Sequence, residues 1–183
     1  VMQRELTSYV EGKGKEIWDL YSGAEGSTDA KSVEKSLVDG CLALFKEIGD
    51  WLSRQFENHP LLQEARKNAF EKFINVTLVR TETLPGDKKV EKKATISEVL
   101  TNYLDSVMKN EFKDITDPEQ ELERLDKLCV LFSHLREKDV FQEYYKAKLA
   151  KRLLQTTPND DLEKALLEKL QRLMGKSFTH KME

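Results

Sequence analysis

Thr95-Ile96-Ser97-Glu98-Val99-Leu100-Thr101-Asn102-Tyr103-Leu104-Asp105-Ser106-Val107-Met108 decides the fold class. Thr95 followed three residues later by Glu98 is a capping box: the hydroxyl satisfies one orphan amide of a new helix and the carboxylate reaches back to another. Behind it Ile96, Val99, Leu100, Tyr103, Leu104, Val107 and Met108 recur at i, i+3, i+4 and i+7, the spacing of one helix face. The device repeats downstream. Asp117-Pro118-Glu119-Gln120 sets proline at a first helical position and leads into Leu122, Leu125, Leu128, Cys129, Leu131, Phe132 and Leu135. Asp139-Val140-Phe141-Gln142 opens a helix whose apolar face holds Val140, Phe141, Tyr144, Tyr145, Leu149, Ala150, Leu153 and Leu154. Asp160-Asp161-Leu162-Glu163 opens the last, with Leu162, Leu166, Leu167, Leu170, Leu173 and Met174, and Gly175 ends it. Four capped amphipathic helices joined by short loops predict a bundle.

Working upstream, Val33, Leu37, Cys41, Leu44, Phe45, Ile48, Trp51, Leu52 and Phe56 form one long stripe that stops at the turn signal Asn58-His59-Pro60. Leu61, Leu62, Ala65, Ala69, Phe70, Phe73 and Ile74 form the next, and so short a connection folds the second helix back on the first. Leu6, Tyr9 and Val10, then Ile17, Trp18, Leu20 and Tyr21, predict two short helical pieces interrupted at Gly12 and Gly14 and closed by the Gly/Ser-rich stretch 22–28. From 75 to 94 the pattern lapses. Leu84-Pro85-Gly86-Asp87, followed by Lys88, Lys89, Glu91, Lys92 and Lys93, reads as an exposed turn and charged connector, a loop or one short strand. No stretch alternates convincingly at period two. The expectation is an all-α chain: an antiparallel helical repeat over 1–76, a connector over 77–94 and a partial helical bundle over 95–183.

Composition agrees. Of 183 residues 34% are charged, above the usual ~25%, while Gly (8) and Pro (4) are scarce, which favours solvated helices over a turn-rich β fold. The net charge of −3 argues against a general polyanion binder. Cys41 and Cys129 fall in apolar stripes and read as reduced core thiols, so a cytoplasmic and/or nuclear protein is expected. No apolar run approaches the ~20 residues of a membrane span. His59, His134 and His180 stand far apart, Glu11-Gly12-Lys13-Gly14-Lys15 lacks phosphate-loop spacing and reads as a flexible helix break, and no nucleophile elbow occurs. Neither catalytic residues nor a metal or cofactor is expected. Asn75-Val76-Thr77 spells a glycosylation sequon, read as chance. Lys138 to Arg152 carries five basic against two acidic residues. Lys146, Lys148, Lys151 and Arg152 are thus a candidate basic contact face, with a solvated flank the favoured reading. Nucleic acid is disfavoured as a partner because Tyr144 and Tyr145 belong to the apolar stripe and do not interleave with the bases.

The segment Asp139 to Leu154 resembles the signature of the cullins, the elongated scaffolds of multisubunit ubiquitin ligases. Other strings follow in the same order from about residue 33 onward: Phe56-Glu57-Asn58-His59-Pro60-Leu61, Ala69 to Asn75, Leu100 to Lys109, Asn159 to Glu163, Leu166 to Leu170 and Phe178 to Glu183. The resemblance implies a non-catalytic rigid segment, the last cullin repeat and the start of the C-terminal bundle, linking an adaptor-binding stalk to the RING-box-binding region. It implies Asp139, Val140, Phe141, Tyr144, Tyr145, Leu149, Ala150, Arg152, Leu153 and Leu154 as a structural signature helix. The RING-box subunit and substrate adaptor are expected to bind outside these residues. A bundle lacking later helices leaves apolar faces uncovered, so the isolated chain is expected to self-associate or to expose a hydrophobic patch. A helical tethering or adaptor rod outside the ubiquitin system is the alternative.

Overall fold

The computed structural model describes residues 1–22, 30–84, 88–112, 117–155, 160–180 and 182. The Gly/Ser-rich stretch after Ser22, the Pro85-Gly86-Asp87 turn and Asn159 lie outside them. The chain divides into two compact units, Val1–Ile96 with His134–Arg136, and Ser97–Ser133 with Glu137–Glu183.

The first unit holds α1 (Met2–Ser22), α2 (Ala30–Phe56) and α3 (Pro60–Ile74). The α2–α3 connection is as short as its turn signal requires: Glu57 and Asn58 take left-handed backbone (φ 48° and 57°), and Pro60 opens α3. Leu37, Cys41, Leu44, Ile48, Leu52, Ala69, Phe70 and Ile74 are buried between the helices. The expected break at Gly12 and Gly14 does not occur, because α1 runs through both. Gly14 is there for packing. A Cβ on it would lie 2.4 Å from Cδ2 of Phe73, so only a bare α-carbon lets α1 approach α3 this closely. Trp18 reinforces the contact, its ring centroid 5.1 Å from that of Phe73 and its indole N–H donating to the Phe73 carbonyl at 3.1 Å.

The connector is a β-hairpin. β1 (Thr77–Leu84) pairs antiparallel with β2 (Lys88–Thr95) in unbroken register from Thr77↔Thr95 to Leu84↔Lys88. Thr77, Val79, Thr81 and Thr83 supply β-branched residues that suit a strand. Only the facing pair Leu78 and Ala94, at the base, is found buried among the described side chains of the hairpin. A single apolar pair gives no period-two pattern, which is why the strands hide in the sequence.

The second unit is the helical bundle: α4 (Ile96–Met108), α5 (Pro118–Ser133), α6 (Lys138–Gln155), α7 (Asp160–Met174) and the single turn α8 (Lys176–Thr179). α4 begins directly after Thr95 and α5 directly after Asp117, as their capping signals require, whereas α6 begins at Lys138 and takes Asp139 into its first turn. The Asp117 carboxylate accepts from the Glu119 amide at 3.1 Å, and Gly175, at φ 86°, stops α7 with its N–H on the Gln171 carbonyl at 2.8 Å. Leu100, Leu104, Leu125, Leu131, Phe132, Phe141, Leu166 and Leu170 make the core.

Candidate functional site: a buried arginine clamp

Arg152 lies eleven, seven and three residues after Phe141, Tyr145 and Leu149, so helix geometry carries it onto the face of α6 that turns inward. Its side chain is 2% exposed. The sequence placed Arg152 on a basic face in water; the structure corrects this. Its Nη1 donates to Asp105 Oδ1 of α4 at 2.6 Å, its Nε donates to Glu163 Oε1 of α7 at 2.7 Å, and its Nη2 donates to that same oxygen. Tyr145 donates its hydroxyl to the other Glu163 oxygen. One planar guanidinium thus joins three helices, a geometry that a lysine cannot copy.

The cluster is electrostatically satisfied. Asp105 also accepts from Lys109 Nζ at 2.7 Å, while Lys148 stands 3.9 Å away. Burial alone would raise the Asp105 pKa, but the hydrogen bonds from Lys109 and Arg152 outweigh it and hold the carboxyl below its ordinary value. Burial pushes the Tyr145 hydroxyl well above the usual tyrosine range, and the neighbouring Glu163 adds to that, so it stays a donor. Aromatic rings wall the clamp: Phe141 stacks on Tyr145 at 5.9 Å, Phe132 meets Phe141 at 4.9 Å, and the Arg152 guanidinium lies 5.4 Å from the Tyr145 ring centre. Gln142, also buried, donates to the Phe178 carbonyl and ties α8 to α6. These groups hold a position; they enclose neither a nucleophile with a base nor a ligand cavity.

The remaining predicted site residues divide by face. Phe141, Tyr145 and Leu149 are buried and Val140 is half-buried. Tyr144, Ala150, Leu153 and Leu154 were expected on the apolar stripe but are exposed, Leu154 by 86%. The reason is width: the inward arc already holds Phe141, Tyr145, Leu149 and Arg152. Asp139 is exposed in the first turn of α6. Lys146 and Lys151 face solvent, and Lys148 is drawn partly toward Asp105. Sequence reasoning missed Asp105 and Glu163 as partners, although an acid lodged between Leu104 and Val107 on an apolar face is a readable signal.

Two smaller features complete the inventory. In the first unit Asn75 ends α3, its amide donating to the carbonyls of Glu71 and His134 (2.7 and 2.8 Å) and accepting from the Arg136 amide (2.8 Å), so the sequon asparagine is structural here. An apolar groove of about 590 Å³ is lined by Leu6, Ile48, Trp51 and Leu62, with Tyr9 donating to Glu47 at 3.1 Å on its rim. Cys41 and Cys129 are free and buried, burial pushing their thiols up to about 12 and about 11. Among the described residues no helix is long and apolar enough to cross a membrane, and no group of three or more His, Cys, Asp or Glu is placed to hold a metal.

Packed antiparallel helices continued by a helical unit define a helical-repeat protein of the α-solenoid class. The Cullin alpha solenoid domain model matches residues 1–183, so the similarity reaches back past residue 33 through α1, and the chain belongs to the cullin family. It is 34% identical to Cullin-3A of Arabidopsis thaliana over 179 residues (97% of this chain, 21% of that protein) and 33% identical to Cullin-4 of Dictyostelium discoideum over 175 (93% and 20%). It is 44% identical to Cullin-3 of Caenorhabditis elegans over 87 residues (47% and 11%). The chain spans about a fifth of the length of the first two relatives.

Proposed function

We propose that these residues form a non-catalytic, rigid scaffold segment of a cullin-RING ubiquitin ligase, joining the adaptor-binding stalk to the region that holds the RING-box subunit. Family membership supports the ligase, and the Arg152 clamp is the observation that carries rigidity. A guanidinium bonded at once to α4 and α7 resists sliding of α6, since any shift strands a buried charge. The exposed Lys146 and Lys151 and the half-buried Lys148 are solvated flank on this reading. The protein works in the cytoplasm and/or nucleus, and its adaptor and RING-box partners bind outside these residues. The isolated chain self-associates, because Met2, Trp51, Leu61 and Leu154 are exposed; a strictly monomeric sedimentation profile would contradict that part.

Leu149→Asp tests the scaffold role. It puts a charge into the core beside the clamp, so the whole protein should lose ubiquitin transfer to substrate while adaptor binding persists. Normal transfer by that variant would overturn the reading.

A further inference from the structure

We propose that the apolar groove between α1 and α2 docks an amphipathic helix of a partner protein, one whose apolar strip is flanked by lysine or arginine. All of its lining residues lie in the first unit. Met2, Glu5, Leu6 and Tyr9 recur at i, i+3, i+4 and i+7 along α1, and Glu47, Ile48 and Trp51 cover one turn of α2, so each wall is a single helix face. Leu6, Ile48 and, from α3, Leu62 are buried and make the floor, while Met2, Tyr9 and Trp51 stand exposed above it. The groove's volume of about 590 Å³ is that of a binding pocket, and three large exposed side chains converging on one place exceed the single ones scattered over any surface. Its rim is already in place. Trp51 packs edge-on against Phe56 with ring centroids 4.9 Å apart, and Tyr9 is held by its bond to Glu47, so neither ring has to be ordered when a partner arrives. Met2, unbranched, adapts to the side chain that enters.

Charge and shape select the occupant. Glu5 stands on the α1 wall and Glu47 on the α2 wall, and among the described residues no basic side chain lines the groove. Lys13, one turn beyond Tyr9, is paired with Glu16 at 2.8 Å. An apolar strip with cations on both sides therefore meets a carboxylate at either wall, and the faces of Trp51 and Tyr9 attract the same cations. A cleft between two helix faces accepts a third helix. The other flank of α1 is different in kind: Arg4, Glu11, Glu64 and Lys72 make that groove polar, and Lys72 pairs with Glu11 at 3.2 Å. A second copy fits the apolar groove less well, because a two-fold contact of this surface with itself sets Glu5 and Glu47 against their own copies.

The test uses the full 183-residue chain and a helix-forming peptide with blocked ends, the sequence leucine-lysine-lysine-leucine-leucine-lysine-leucine twice over. The proposal predicts saturable binding with a blue shift of tryptophan emission that Trp51→Phe removes. Glu5→Gln/Glu47→Gln should weaken binding at least tenfold with the helical circular dichroism unchanged. Glu11→Gln/Glu64→Gln takes the same charge from the other flank of α1 and should leave the affinity as it was. Glutamate in place of every lysine of the peptide, or a proline at its centre, should abolish binding. Tryptophan emission that the first peptide leaves unchanged would overturn the proposal, as would a second copy of the chain that holds the groove and excludes the peptide. Equal weakening by the two double variants would reduce the contact to general charge attraction and overturn it too.

Discussion

Arg152 and Asp105 lie 47 positions apart in the sequence and meet at 2.6 Å with both side chains almost fully buried. The ion pair links α6 to α4, and Glu163 extends it to α7. Buried pairs of this kind add little net stability compared with an apolar replacement of both partners, yet removal of one partner is costly. Their value is geometric, because they admit one register.

Arg152→Met should therefore lower the unfolding free energy of the second unit by about 3–5 kcal/mol, as it strands two carboxylates. Arg152→Lys keeps the charge but not the fork, and should lose stability in the same direction. A double-mutant cycle between Arg152 and Asp105, read by urea denaturation, should return a coupling of about 0.5–3 kcal/mol. A coupling near zero would remove the clamp from the account.

Asp105 gives the clamp an acid limit. Its folded-state pKa lies below that of the unfolded chain, near ~3.9, so its stabilisation is fully present above that value and is lost as pH falls through the folded one. The urea midpoint of the second unit should hold above about pH 5 and fall as the pH drops below about 4, less steeply in Asp105→Asn. Parallel profiles for the two proteins would assign the acid sensitivity elsewhere.

Two glycines in one helix should respond with opposite sign. Nothing lies within 4 Å of a Cβ on Gly12, so Gly12→Ala should stabilise the first unit by up to about 1 kcal/mol through helix propensity. Gly14→Ala gains the same propensity but drives a methyl into the Phe73 ring, and overpacking of about 1–3 kcal/mol should make it a net loss. Thermal melts of the two variants decide this.

Asn75→Ala removes one acceptor and two donated bonds at the end of α3. The Arg136 amide and the Glu71 and His134 carbonyls lose a partner, and the expected cost is about 1–3 kcal/mol. Hydrogen exchange at the Arg136 amide should rise in the variant; unchanged protection would show that the bond is dispensable.

The helix ends were legible because capping is local: Asp117 and Gly175 act within one turn of themselves. The features that were not legible depend on neighbours distant in sequence. Gly14 reads as a breaker until Phe73 is placed against it, and Arg152 reads as a solvated cation until Asp105 and Glu163 supply its partners. The apolar stripe of α6 was read too wide, because periodicity alone does not say that Tyr145 turns inward and Tyr144 outward. The hairpin escaped because its lysine-rich strand is held by backbone pairing, which leaves little mark on residue type.

Co-purification of the whole protein with a RING-box subunit is the most direct test of the scaffold assignment. The account predicts a stoichiometric complex that supports ubiquitin transfer to an adaptor-bound substrate and loses that transfer with Leu149→Asp. A folded whole protein that retains no RING-box subunit would contradict it and favour a helical tether outside the ubiquitin system.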